Sequence, residues 1–75
     1  MYEIQIIYDN LAKANIINLK AALLSIKHIK NITVNKDTSI ITLLSKKKNI
    51  REDLLINAGK MAGSAFRTIV KRKKI

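Results

Sequence analysis

Apolar and polar residues alternate over residues 2–8. Tyr2, Ile4, Ile6 and Tyr8 fall on one side, and Glu3, Gln5 and Ile7 on the other. A period of two belongs to a strand with one buried face. The period then lengthens. From about Leu11 to Lys27, Ile16, Leu19, Leu23 and Ile26 recur at helical spacing, which predicts a core-facing helix with Asn10 as its N-cap. Ile29, Ile32 and Val34 lead into a second strand, and Lys36-Asp37-Thr38-Ser39 reads as a turn. Residues 40–44 (IITLL) make a third strand, closing a hairpin. After Lys46-Lys47-Lys48, Asn49 with Glu52 three residues on reads as a capping box, and Glu52 and Asp53 suit the positive end of a helix dipole. This second helix is expected to run to Ala62, with Gly63 ending it. Residues 66–70 (FRTIV) read as a fourth strand, and KRKKI as a frayed tail.

The order strand-helix-strand-strand-helix-strand predicts an α+β, ferredoxin-like β-α-β-β-α-β sandwich: a four-stranded antiparallel sheet with two helices on one face. The expected organisation is one domain over residues 1–70, with a basic tail over 71–75.

Composition narrows the chemistry. A chain of 75 residues has room for one small domain, and 48% apolar content allows a modest core. With no cysteine, disulfides and thiolate metal sites are excluded. No apolar run approaches the roughly 18 residues of a membrane span, and no basic-then-apolar leader is visible, so a cytoplasmic location is the default expectation. The charge is lopsided, with 15 Lys and Arg against 5 Asp and Glu, net +10. Such an excess suits nucleic acid, an anionic membrane or an acidic partner. The wealth of Ile, Asn and Lys also fits the codon usage of an AT-rich genome, a competing source of many lysines.

Three stretches carry a resemblance. SIKHIKNITVNKDTSIITL, from the end of the first helix through the hairpin, is similar to the matching segment of the heavy-metal-associated domain, found in copper chaperones and at the N-termini of metal-pumping P-type ATPases. Asn35 before the Asp37-Thr38-Ser39 turn, and EDLLINAGKMAG with its closing Ala-Gly, resemble the same family's framework. The resemblance spans nearly the whole chain and implies the ferredoxin-like fold. The family's chemical signature is Met-x-Cys-x-x-Cys in the first loop, where two thiolates grip a soft ion such as Cu(I). Counted back from Ile16, those cysteine positions fall on Ala12 and Asn15, and the Met on Asn10. The resemblance therefore implies the fold with its metal site emptied, and no cofactor.

Other chemistry finds little support. Asp9, Asn10 and Asp37 lie at one end of the expected topology, but three weak oxygen ligands are few for Ca²⁺ or Mg²⁺. The favoured reading is that Asp9 and Asn10 cap the helix and Asp37 makes the turn. His28 is the only imidazole, and a lone histidine is rarely a metal site. Ser25, Ser39, Ser45 and Ser64 have no evident base, so no enzyme is expected.

Two features stand out. The topology sends Lys27, Lys30, Lys46, Lys47, Lys48 and Arg51, together with Lys71, Arg72, Lys73 and Lys74, to the end away from YDNLAKANI. Ten of the 15 basic residues would thus form one pole, either merely solvated or binding an anion. The first helix also carries a second apolar row, Ile17, Ala21 and Leu24, and the second helix adds Ile56 and the small-residue run Ala58-Gly59…Ala62-Gly63. These suggest a partner face, a homodimer, or a wider core.

The leading expectation is a non-catalytic binding or regulatory module of heavy-metal-associated type in a metal-transport system. A protein partner or the transporter's own domains would engage it. The alternatives are a basic domain that binds nucleic acid or an anionic surface non-specifically, and a homodimerising module.

Overall fold

The computed structural model describes residues 1–75. Its strands are β1 (Tyr2–Asp9), β2 (Ile29–Asn35), β3 (Ile40–Ser45) and β4 (Ala65–Lys74), and its helices α1 (Ile16–Leu24) and α2 (Glu52–Ala62). The four strands form one antiparallel sheet in the order β2-β3-β1-β4. Both crossovers pass through helices, and the result is the expected α+β ferredoxin-like sandwich. No helix is long and apolar enough to cross a membrane.

The alternation of β1 sets the core. Ile4, Ile6 and Tyr8 are fully buried and meet Leu19 and Leu23 of α1, Leu55 of α2, and Ile41 and Leu43 of β3 in one cluster. Glu3, Gln5 and Ile7 face away from the helices, beside Leu44, Thr42 and Ile40 of β3. The hairpin turn is held by Asn35, whose side-chain oxygen accepts from the amides of Asp37 (3.0 Å) and Thr38 (3.3 Å). Gly63 ends α2 in the left-handed region at φ 76°, its amide donating to the Gly59 carbonyl.

Tyr8 joins the layers. Its hydroxyl donates to the Leu55 carbonyl at 2.6 Å, and its ring meets Phe66 edge-on with centroids 5.7 Å apart. Burial pushes its phenol well above the ordinary tyrosine pKa, so the group stays a neutral donor. Replacing Tyr8 with Phe keeps the packing and leaves the carbonyl to its helical bond. It is expected to cost about 1 kcal/mol, read by urea unfolding.

Three helix boundaries differ from the sequence expectation. The first helix does not begin after Asn10. Leu11–Lys13 form a separate 3-10 turn, Asn10 sits at φ 60° without a side-chain cap bond, and Asn15 caps α1 by accepting from the Asn18 amide at 3.1 Å. It also ends early, at Leu24, where the Ser25 hydroxyl donates to the Ala22 carbonyl at 2.6 Å. The Asn49–Glu52 capping box does not form, because Arg51 is still extended at ψ 125° and α2 starts at Glu52.

The basic tail is the largest correction. Lys71–Lys74 are not frayed. They continue β4 along the outer edge of β1, pairing with Gln5, Ile4, Glu3 and Tyr2 in turn, and the Ile75 amide donates to the Met1 carbonyl at 3.0 Å. The strand breaks its own period: Ile6 pairs with Ile69 but Gln5 with Lys71, and Tyr8 pairs with Phe66 but Ile7 with Thr68. Val70 and Arg67 are the surplus residues at these two bulges. Phe66 and Ile69 both pack on the core as a result, although they lie an odd number of residues apart.

Candidate functional site

The first loop is built as a structural connection. Leu11 is fully buried beneath it, the Asn15 amide donates to the Ala62 carbonyl at 2.9 Å, and the Ser64 hydroxyl donates to the Asp9 carbonyl at 2.6 Å. Ala12 and Asn15, which stand where the family resemblance would place thiolates, are both exposed. The Asp9 carboxylate lies 3.6 Å from Arg67, and Asp37 is exposed in the hairpin turn. Nowhere in the chain do three or more His, Cys, Asp or Glu side chains come together.

The opposite end gathers the charge. One row of the sheet runs Ile29, Ser45, Tyr2, Lys74 from β2 to β4. Three inter-strand spacings make this row about 14 Å wide. Lys30 follows Ile29, Lys46, Lys47 and Lys48 follow Ser45, and Lys71, Arg72 and Lys73 precede Lys74. Lys27 lies in the connection from α1 to β2, and Arg51 caps α2. All ten basic residues named above are exposed, and nine gather toward this end; the expectation fails for Lys71, which pairs with Gln5 midway along β1 because β4 continues along the sheet instead of leaving it. Three of the five carboxylates, Glu3, Glu52 and Asp53, lie at the same end, and one is engaged: Arg51 holds Asp53 through two hydrogen bonds of 3.1 and 2.7 Å. No other basic residue of this pole has a carboxylate within ion-pair distance.

A cleft of about 370 Å³ opens in this pole between the α1–β2 connection and the β3–α2 loop. Lys27, His28, Lys47, Asn49 and Arg51 line it, together with the half-buried Ile26, Ile50 and Leu54. Backbone and hydroxyl bonds fix its walls. The Lys46 amide donates to the His28 carbonyl at 2.9 Å, joining the two loops. The buried Ser45 hydroxyl donates to the Lys47 carbonyl at 2.8 Å and accepts from the Lys47 amide at 3.1 Å. Ser45 thus spends its proton on the loop, despite lining the same cleft as the only imidazole. Ser25 and Ser64 likewise donate to backbone carbonyls.

His28 stands in the left-handed region at φ 77°. Its pKa lies below the ordinary imidazole value, first through lost contact with water and then through the field of Lys47, Lys27, Lys46 and Lys30. The neutral ring is thereby favoured, and in that form it can donate from one nitrogen and accept at the other.

Helix 1's second apolar row is exposed: Ile17 is 81% accessible, Leu24 48%, and Ala21 lies between them. The reading of a wider core is thereby overturned for these positions. The small-residue run on α2 faces the other way. Ala58, Gly59 and Ala62 are buried, with Gly59 against Tyr8 and the Ser64 carbonyl, so they offer no surface to an outside helix.

The sequence points to the basic end but not to the cleft, because a lone His28, an Asn49 that reads as a cap and a Ser45 without a base carry no sign that two loops meet. The available signal was that Lys27-His28 and the Lys46–Lys48 run leave neighbouring strands at the same end.

The chain matches no family model, no curated protein and no solved structure.

Proposed function

We propose that this chain is a non-catalytic docking module, a heavy-metal-associated type of frame without its thiolate pair, which serves a metal-transport system from the cytoplasmic side. Its working surface is the basic end, and its partner is an anionic membrane face. The observation that carries this reading is the segregation of charge: nine cationic side chains toward one end, of which Arg51 alone is neutralised by a close carboxylate. Codon usage accounts for abundant lysine but not for its collection at one pole. A broad cationic end attracts an anionic leaflet by about 1 kcal/mol for each basic residue near the surface.

Nucleic acid is the weaker reading. Domains of this topology that bind single strands stack bases on aromatic residues of the open sheet face. Here Tyr8 is buried on the helix side, and Tyr2 and Phe66 pack against the same core. The open face carries Glu3, Gln5, Thr42 and Leu44 instead.

The test is co-sedimentation with phosphatidylserine vesicles, with phosphatidylcholine vesicles and single-stranded RNA in parallel. Binding to the anionic vesicles is expected at low salt and should fade between about 50 and 200 mM. Changing Lys46 and Lys48 to Ala should weaken it by about 2 kcal/mol, roughly thirtyfold. Both side chains are exposed in a loop, so the fold should survive. Equal binding to neutral vesicles, or RNA binding that persists at high salt, would defeat the proposal.

A further inference from the structure

The cleft in the basic pole differs in kind from the lysines around it. It has a concave shape, a volume at the low end of the roughly 300–1,000 Å³ of small-ligand pockets, and a lining of half-buried apolar side chains and exposed polar ones. Flat cationic surfaces bind anions without choosing among them. A cleft lined by Lys27, Lys47 and an imidazole within their field selects for a compact, doubly charged group. Arg51 adds the nitrogen it leaves free, since Asp53 takes its Nε and Nη2. The Asn49 amide supplies a neutral donor. The loop walls are already tied together through Lys46 and Ser45, so little ordering is required on binding.

We propose that this cleft is a phosphomonoester site: Lys27 and Lys47 take the charge of the phosphoryl group, His28 and Asn49 hydrogen-bond its oxygens, and the organic body of the ester lies on Ile26, Ile50 and Leu54. A monoester carries about −1.5 to −2 charges at neutral pH, against one for a diester, and it presents three terminal oxygens to the cleft. The inference rests on the docking reading above and deepens it, because a phosphomonoester is borne either by an acidic lipid headgroup or by a soluble metabolite.

His28 reports on occupancy. The charged groups around it are Lys27 on its own connection, Lys30 on β2, Lys46 and Lys47 after β3, and Arg51 with its bound Asp53 at the start of α2. A dianion among them offsets the field that disfavours imidazolium.

The experiment follows the His28 ring resonances by NMR through a pH titration, with and without glycerol 3-phosphate, and measures that ester's affinity for the parent, Lys47→Ala and Lys73→Ala. Saturable binding is expected, with the His28 midpoint rising by about one pH unit. Lys47→Ala should lose about tenfold in affinity, a typical effect of removing one charge-assisted hydrogen bond, while Lys73→Ala, outside the cleft, should lose little. His28→Asn, which tolerates the left-handed backbone, should also weaken binding without unfolding the chain. Vesicles carrying phosphatidic acid, compared with phosphatidylserine, separate the sources. A preference for phosphatidic acid that Lys47→Ala abolishes assigns the site to a lipid headgroup. Glycerol 3-phosphate binding without that preference assigns it to a soluble ester. No saturable binding of glycerol 3-phosphate, or binding weakened equally by Lys47→Ala and Lys73→Ala, would overturn the site. Phosphatidylserine docking that survives such a result leaves the broader reading intact, and its absence from the parent removes that reading separately.

Discussion

Replacing Gly59 with Ala is expected to destabilise the protein by about 2–3 kcal/mol, a fall of roughly 10–20 °C in melting temperature for a domain of this size. A Cβ built at Gly59 would lie 2.6 Å from the Ser64 carbonyl oxygen and 2.7 Å from Cε2 of Tyr8. The first neighbour is backbone, anchored by the Ser64 amide's 2.9 Å bond to the Gly59 carbonyl. The second belongs to a buried ring fixed at its far end by the bond to Leu55 and at its edge by Phe66. Neither can yield without moving α2 off the sheet. Gly63 is the matched control. Its Cβ would meet nothing, and its φ of 76° alone opposes a side chain, so Gly63→Ala should cost about 1 kcal/mol. Thermal unfolding of the two variants separates steric crowding from backbone strain. A Gly59→Ala protein that melts within a degree or two of the parent would mean that α2 does not approach β1 this closely.

Gly59 also illustrates where reading the sequence stops. A run of small residues four apart signals that something comes close, but its spacing does not say from which side. Here the close neighbours are Tyr8 and Ser64 within the fold. The strands were legible because period two survives in β1 and β3, where Ile4, Ile6, Ile41 and Leu43 all reach the core. β4 was legible only in part. Its two bulges break the period at Arg67 and Val70, and its last four residues are Lys and Arg, whose place in the sheet depends on β1 offering an unpaired edge. Both Asn10 and Asn15 are acceptable caps by residue type. The choice falls to Asn15 through contacts distant in sequence: its own amide to Ala62, and Ser64 to Asp9. The basic pole could be anticipated because topology alone decides which loops share an end. The cleft within it could not, since it depends on how the Lys46 amide and His28 carbonyl draw two loops together.

The loop between β1 and α1 supports the other large expectation. Changing Ala12 and Asn15 together to Cys should convert a chain expected to bind no Cu(I) at micromolar metal into one that binds a single ion tightly. Both positions are exposed, at the 3-10 turn and at the N-cap of α1, with Leu11 anchoring the loop below them. A thiolate at position 15 would replace the Asn15 oxygen as acceptor for the Asn18 amide, and the helix N-terminus with Lys13 nearby would favour the ionised form. Loss of the asparagine cap should cost about 1 kcal/mol of stability, far less than a bidentate soft-ligand site returns on metal binding. Asn15→Cys alone separates chelation from the chemistry of one thiol. If the double variant takes up Cu(I) no better than the single one in a competition titration, the two positions do not converge. The frame would then share the topology of a heavy-metal-associated domain without its loop geometry, and the case for a metal-transport setting would fall, while the basic end and its cleft would keep their own tests.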